Sequence, residues 1–240
     1  MSEFKSCYYN YLKRELKDEI FNKIVPLIEK TLNFEVQLPT SLRINKLKKH
    51  DYRYILNRWF QLRGGYDHVK NIITLYDGKY CRKTVIHEVF HALSFFAYGR
   101  FSHLFDRLRL MIEGLTEFLT GYILYENYRE CYEEWIRCRY KVCRISYESE
   151  TRLFGALARY VNLKELAGLY LWQANTDWYK IYKEFRSKHG IKEVLFVKRG
   201  KEPLEKRVLS ALCEAFGSEI LILAEDISLR DCLDYSQMNT

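Results

Sequence analysis

The chain has 240 residues, of which 48% are hydrophobic and 29% are charged, and 39 Lys and Arg against 31 Asp and Glu give a formal net charge of +8. This length and composition predict one globular domain, and they exclude a disordered tail, a collagen-like chain and an array of flexible linkers. No apolar run reaches the roughly 18 residues that cross a bilayer and the N-terminus lacks the apolar core of a secretory signal, so we expect no membrane span and a cytoplasmic location.

The beginning of the chain predicts a long helix followed by a β-rich segment. Apolar residues recur at helical spacing over residues 8–32, and Pro26 should kink or interrupt that helix. Residues 34–62 then carry β-branched and aromatic residues at partly alternating positions, which is typical of strands.

The next elements complete a small sheet and lead into a helical part. The pair Gly64 and Gly65 is interpreted as a turn, and Val69–Leu75 as a short strand. Helices are predicted over residues 80–96 and 103–128 and over most of 130–225. The sequence therefore predicts a single α+β domain over residues 1–240. Its first part, 1–79, is a helix plus a β-rich region, and its second part, 80–240, is helical.

One stretch of the chain is densely basic. It comprises Arg43, Lys46, Lys48, Lys49, Arg53 and Arg58. Elsewhere basic residues alternate with acidic ones, and a polyanion contact needs clustered positive charge. The stretch predicts a solvated basic face, and a nucleic-acid contact is the alternative.

The sequence has seven cysteines, an odd number, and no two of them form a CxxC pair. A zinc ribbon requires two such closely spaced pairs, so this class of site is excluded. Buried free thiols in a reducing compartment are the simplest interpretation. Disulfides among Cys131, Cys138 and Cys143, which lie close in sequence, are the alternative.

The predicted helix at 80–96 contains His87-Glu88-Val89-Phe90-His91, an HExxH pattern. Residues four apart share one face of a helix, so both imidazoles can point at one metal ion, and Glu88 can reach a water beside it. The flanking residues are mostly bulky and apolar, which predicts a helix buried nearly all round. Histidines of a metal-free core are the alternative, but burying two imidazoles and a carboxylate is costly unless they are paired or bound to metal.

The next helix carries Glu113 and Glu117, again four residues apart among apolar neighbours. A catalytic zinc site has three protein ligands and an open position. One glutamate can be the third ligand, while the other can accept a hydrogen bond from the free nitrogen of a ligand histidine. Ordinary surface glutamates are the alternative. Gly114 should allow this helix to approach the HExxH helix closely.

An HExxH helix followed by a helix with Glu-Gly-x-x-Glu resembles the gluzincin clan of zinc metallopeptidases, and the minimal gluzincins in particular, over residues 66–120. The resemblance implies a zincin-like fold, with a small N-terminal sheet and an active-site helix followed by a mainly helical half. It implies one zinc ion per chain, held by His87, His91 and Glu113. Glu88 would then be the general base, and Glu117 would lie behind a ligand histidine.

The resemblance also implies two features of substrate binding. A strand before the active-site helix forms the edge that pairs with an extended substrate in gluzincins, which points to Ile72, Ile73 and Thr74. A tyrosine or histidine commonly stabilises the oxyanion of the reaction, which points to Tyr147 as a catalytic residue. Alternatives for that role are Tyr122, Tyr170 and His103.

The expected function is that of a zinc-dependent metallopeptidase that hydrolyses a peptide or protein substrate with a zinc-bound water. No Gly-x-x-His follows His91, which disfavours the metzincins. The aminopeptidase signature is missing upstream of His87, which leaves an endopeptidase by default. Two alternatives remain. One is a catalytically silent gluzincin-like binding or regulatory module, with nucleic acid as a candidate partner through the basic stretch, and the other is a zinc hydrolase acting on a non-peptide amide.

Overall fold

The computed structural model describes residues 8–9, 13–47, 64–76, 80–94, 109–137, 147–171, 177–191, 204–226 and 231. In these residues the chain is α+β and mostly helical, with a small three-stranded sheet, so the predicted class is confirmed. The chain divides into two compact units, residues 1–93 with 120–145 and residues 94–119 with 146–240. None of the helices in the described part combines the length and hydrophobicity that crossing a bilayer requires.

The elements follow in chain order. The described strands are β1 (Tyr8–Tyr9), β2 (Arg43–Leu47), β3 (Gly64–Asp67), β4 (Ile72–Tyr76) and β5 (Tyr80–Cys81). The described helices are α1 (Lys13–Glu19), α2 (Val25–Leu32), α3 (Arg82–Leu93), α4 (Arg109–Asn127), α5 (Arg129–Arg137), α6 (Glu148–Leu157), α7 (Leu163–Tyr170), α8 (Trp178–Lys188), α9 (Leu204–Phe216) and α10 (Glu219–Asp226). A π-helical turn, Ile20–Ile24, joins α1 to α2.

The first helical segment is interrupted where the sequence predicts it. Pro26 lies in the first turn of α2, directly after the π-helical turn. Proline has no N–H to donate to the preceding turn, so a wider turn before it removes the conflict. The predicted start at residue 8 is wrong, because Tyr8 and Tyr9 form a strand that pairs antiparallel with Tyr80 and Cys81.

The three-stranded sheet has the order β2-β4-β3, with β2 parallel and β3 antiparallel to β4. Gly64 and Gly65 do not form the predicted turn, because they pair with Leu75 and Thr74 as the first residues of β3. The turn lies instead between β3 and β4. There the side chain of Asp67 accepts hydrogen bonds from the backbone N–H groups of Val69 and Lys70 (3.1 and 3.0 Å).

This strand order corrects the predicted substrate edge. Ile72, Ile73 and Thr74 lie in β4, which is paired on one side with β2 and on the other with β3. Both rows of backbone hydrogen-bonding groups are therefore used within the sheet, and β4 cannot pair with a substrate. The strand order depends on long-range pairing, which the local sequence pattern does not contain.

Helix α3 lies at the centre of the first unit. It packs against β3 and β4, against the π-helical turn and against α5. The core around it is formed by completely or almost completely buried aliphatic side chains, including those of Leu16, Ile20, Ile24, Ile28, Ile73 and Leu75. These contacts bury most of the surface of the helix in an apolar core.

The second unit is a set of packed helices. Helix α6 packs against α10, α7 against α8, and α9 against α10. At one point α4 and the start of α6 are in unusually close contact. A Cβ atom added to Gly114 would lie 2.7 Å from Cβ of Glu150 and 3.0 Å from its backbone carbonyl atoms. Gly114 therefore gives α4 its close approach to α6, which corrects the expectation that its open side faces the HExxH helix.

Cys131 on α5 is disulfide-bonded and buried, whereas Cys213 on α9 is a free thiol. The interpretation of all cysteines as free thiols is therefore wrong for Cys131. Cys138 and Cys143, the proposed partners within the same stretch of sequence, lie outside the described residues.

The close contact at Gly114 predicts a loss of stability when a methyl group is added. Alanine is about 1 kcal/mol more favourable than glycine inside a helix, so Gly114→Ala would stabilise α4 if space allowed it. We expect instead a net destabilisation of about 1–3 kcal/mol, because the methyl group meets backbone atoms that cannot move aside. Thermal unfolding measures this change, and Gly65→Ala is the control, since its added Cβ meets nothing within 4 Å. An unchanged or raised melting temperature for Gly114→Ala would contradict the contact.

Candidate metal centre

The HExxH pattern lies on α3, and this helix is buried as the sequence predicts. Every residue from Val85 to Leu93 is buried. The polar residues share this burial: His87 is 7% exposed, Glu88 6% and His91 4%. Such enclosure of two imidazoles and a carboxylate is what a buried binding site requires and what an accidental surface match lacks.

The start of α3 is fixed by a cation–π contact. The guanidinium carbon of Arg82 lies 3.9 Å from the ring centroid of Tyr128. Burial lowers the pKa of Arg82 below its ordinary value, and burial also raises the pKa of Tyr128. The partly desolvated contact holds the first turn of α3 against the segment between α4 and α5.

The two histidines of α3 face each other. Their Nε2 atoms are 3.1 Å apart, and the rings are nearly perpendicular, with centroids 4.8 Å apart. At this distance one ring can donate a hydrogen bond to the other. The separation is also close to the roughly 3.3 Å between two nitrogens that each lie about 2.0–2.1 Å from one tetrahedral zinc ion.

Glu113 on α4 completes a set of three donors. One atom from each of His87, His91 and Glu113 lies within 4.8 Å of the other two, so the group could hold a metal ion. Two imidazoles and one carboxylate form the ligand set of several catalytic zinc sites, which also keep a fourth position open. Glu113 is only half-buried, whereas both histidines are buried.

Glu117 lies one helical turn beyond Glu113 and is completely buried. It does not belong to the group of three close donors. Its predicted position behind a ligand histidine stays a prediction. Thr116 and Thr120 beside it are also completely buried. The Thr116 hydroxyl is hydrogen-bonded to the hydroxyl of Tyr170, so this tyrosine, an alternative for oxyanion stabilisation, already has a buried partner.

Tyr147 occupies the N-cap of α6 in an unusual backbone conformation. Its φ and ψ angles are 55° and 48°, in the left-handed region that bulky residues rarely adopt. Its carbonyl accepts two hydrogen bonds from Thr151, one from the backbone N–H and one from the hydroxyl, both 2.8 Å long. Such strain persists only where neighbouring contacts impose it, and it is frequent at functional sites. The catalytic role of Tyr147 stays a prediction.

The alternatives for the oxyanion role differ in their surroundings. Tyr122 on α4 is buried, and this burial, followed by the negative charge of Glu126, raises the pKa of its hydroxyl above its ordinary value. It would therefore remain a proton-bearing donor at neutral pH. His103 lies outside the described residues, as do the residues of the basic stretch from Lys48 to Arg58.

Gly64 is a residue near the site that the sequence interpretation missed. A Cβ atom added to it would lie 3.0 Å from Oε1 of Glu88. A glycine pair beside strand-like residues can mark a close approach of the backbone as well as a turn. The close approach is the meaning that applies here, because both glycines lie in β3 and Gly64 packs against α3.

Comparison of the chain with protein-family models, with curated proteins and with solved structures finds no match.

The set of donors predicts one bound metal ion per chain. His91→Ala removes one of the two imidazoles, and we expect the variant to lose most of its metal after dialysis, because two remaining donors hold a divalent ion weakly. Elemental analysis measures the metal content. His68→Ala, in the turn between β3 and β4, is a matched control that should keep the full amount. Full metal retention in His91→Ala would show that the ion is bound elsewhere.

The two glutamates of α4 should differ in their effect on metal affinity. Glu113→Ala removes a ligand and should release the metal at modest chelator concentration. Glu117→Ala removes a group expected behind the ligands and should weaken binding by only about 10–100-fold. Competition with a chromophoric chelator measures both affinities, with circular dichroism as the check on folding. The opposite order of effects would place the ligand at Glu117, one turn further along α4.

Proposed function

We propose that the protein is a zinc-dependent metallopeptidase, with His87, His91 and Glu113 as the zinc ligands. The proposal is supported by one observation above all: the three donor atoms lie within 4.8 Å of one another, although Glu113 is 22 positions beyond His91 in the sequence. The pattern on α3 also resembles that of the gluzincins, in which this ligand set serves peptide hydrolysis.

Zinc bound by these residues would polarise the scissile carbonyl group and lower the pKa of a water toward neutrality. The residues of the chain supply the remaining requirements. The imidazoles of His87 and His91 are held in one orientation by the packing of α3. The half-buried Glu113 contributes negative charge at the side of the site that solvent reaches.

Glu88 is proposed as the general base. Its carboxylate takes the proton from the attacking water and then returns it to the nitrogen of the leaving amine, so no net proton is consumed by the residue. The proposal for Glu88 is supported by its position next to His87 in the HExxH pattern. Tyr147 is proposed to donate a hydrogen bond to the oxyanion that develops on the carbonyl oxygen.

The substrate class is proposed to be an unfolded peptide or protein segment, cleaved internally. This part of the proposal rests on the resemblance to gluzincins and on the missing aminopeptidase signature. It is tested by measuring zinc in protein purified without added metal, together with cleavage of a denatured protein. Bound zinc without cleavage of any peptide would favour a silent binding module, whereas cleavage restricted to small amides would favour a non-peptide hydrolase.

Replacement of the proposed base separates metal binding from hydrolysis. Glu88→Gln is nearly isosteric but cannot accept the proton of water, so we expect hydrolysis to be abolished while the zinc content and the melting temperature stay unchanged. Peptide cleavage and elemental analysis on the same preparation provide both values. Glu126→Gln, at an exposed position of α4, is the control for the change of charge. Wild-type cleavage by Glu88→Gln would refute the role of Glu88.

A further inference from the structure

Strand β3 lies against the side chain of Glu88 at one residue, Gly64. A Cβ atom built on Gly64 would be 3.0 Å from Oε1 and 3.1 Å from Cγ of Glu88, and 2.9 Å from Cγ2 of Thr84. Separations of this size are shorter than ordinary van der Waals contacts between a methyl group and its neighbours. The backbone of β3 therefore lies directly against Glu88, and a methyl group at residue 64 would require the side chain of Thr84 or Glu88 to shift.

The need for glycine at this position is one of space and not of backbone conformation. The described glycines with positive φ are Gly190 and Gly217, so Gly64 has a φ angle that alanine adopts freely. Gly65, the next residue in the same strand, has nothing within 4 Å of its added Cβ. Since successive residues of a strand face opposite sides, Gly64 faces α3 and Gly65 faces away from it.

Contact with a rigid backbone restricts a side chain that is otherwise adaptable. Glu88 has three rotatable side-chain bonds, and it is 6% exposed, so few positions are open to it. On one side its carboxylate and its Cγ atom lie against the strand, which is itself fixed by pairing with β4. A general base has to be held within a fraction of an ångström of its working position, and packing by a neighbouring element is the usual means.

We propose that Gly64 is a positioning residue for Glu88, and that its missing side chain sets the place of the carboxylate in the reaction. The proposal rests on the peptidase function proposed above, since it assigns Glu88 as the base. Thr84, one turn before Glu88 on α3, borders the same space, with its Cγ2 atom 2.9 Å from the added Cβ. A methyl group at residue 64 would therefore displace the carboxylate, because Glu88 has three rotatable side-chain bonds whereas the β-branched Thr84 is stiff at χ1.

The test compares two variants that add the same methyl group to neighbouring residues. Gly64→Ala should lower kcat for peptide cleavage by about 10–100-fold, as a misplacement of about 1 Å does. Zinc content and KM should stay within twofold of the wild type, because neither the ligands nor the outer surface of the strand is touched. Gly65→Ala, whose methyl group points into open space, should change neither kcat nor KM. A merely structural role of Gly64 would lower the active fraction and the zinc content together, without this split.

A second measurement does not depend on activity. The melting temperature of the zinc-loaded protein is determined for Gly64→Ala, Glu88→Ala and the double variant. The added methyl group should lower the melting temperature by about 4 °C when Glu88 is present. In the Glu88→Ala background the loss should be smaller, because the carboxylate and Cγ have been removed while the contact with Cγ2 of Thr84 remains. Gly65→Ala should show no such coupling.

The outcomes test the positioning role of Gly64 and the peptidase function separately. Unchanged kcat in Gly64→Ala, or equal losses in Gly64→Ala and Gly65→Ala, would overturn the positioning role. If Gly64→Ala does not fold, recovery of folding in the double variant with Glu88→Ala supports the contact, and failure to recover overturns it. A wild-type protein that cleaves no peptide would refute the peptidase function, and the thermal coupling would then decide separately whether Gly64 and Glu88 are in contact.

Discussion

The first unit of the protein encloses three polar side chains of α3, those of His87, Glu88 and His91. The packing around α3 has to accommodate them. A buried polar group without a partner costs on the order of 1–3 kcal/mol, and a buried charge costs more. Here His87 and His91 face each other across 3.1 Å, and Glu113 supplies a carboxylate within reach of both. A metal ion among these donors would offset the cost of enclosing them. The packing of α3 would then hold the two imidazoles in place.

Sequence reasoning succeeded where spacing along one helix determines geometry. The four-residue separation of His87 and His91 places both on one face of any helix, so their convergence follows from local structure alone. The apolar flanks predicted the burial of α3, and the same pattern identified the helix that carries Glu113. That the carboxylate of Glu113 meets both imidazoles came from the resemblance to gluzincins and not from spacing, since nothing local relates two helices that are separated in sequence.

Sequence reasoning failed where long-range pairing or packing decides. The pattern of Val69–Leu75 predicts a strand, but its place between two other strands depends on partners elsewhere in the chain. Likewise, Gly64 and Gly65 were predicted to form a turn because glycine is conformationally free. Gly64 instead lies in a strand, close to the side chains of Glu88 and Thr84. The left-handed conformation of Tyr147 has no sequence signal, because tyrosine does not favour it. The carbonyl of Tyr147 accepts two hydrogen bonds from Thr151 in this conformation.

The order of segments along the chain has a consequence for making parts of this protein. Each compact unit consists of two stretches, and the stretches alternate: 1–93 and 120–145 form one unit, 94–119 and 146–240 the other. The boundary between residues 119 and 120 falls within the continuous helix α4. A single chain break inside residues 94–145 would therefore leave both units divided over two fragments. Truncated forms ending in that interval should not fold as either unit, and only fragments that associate again could restore them.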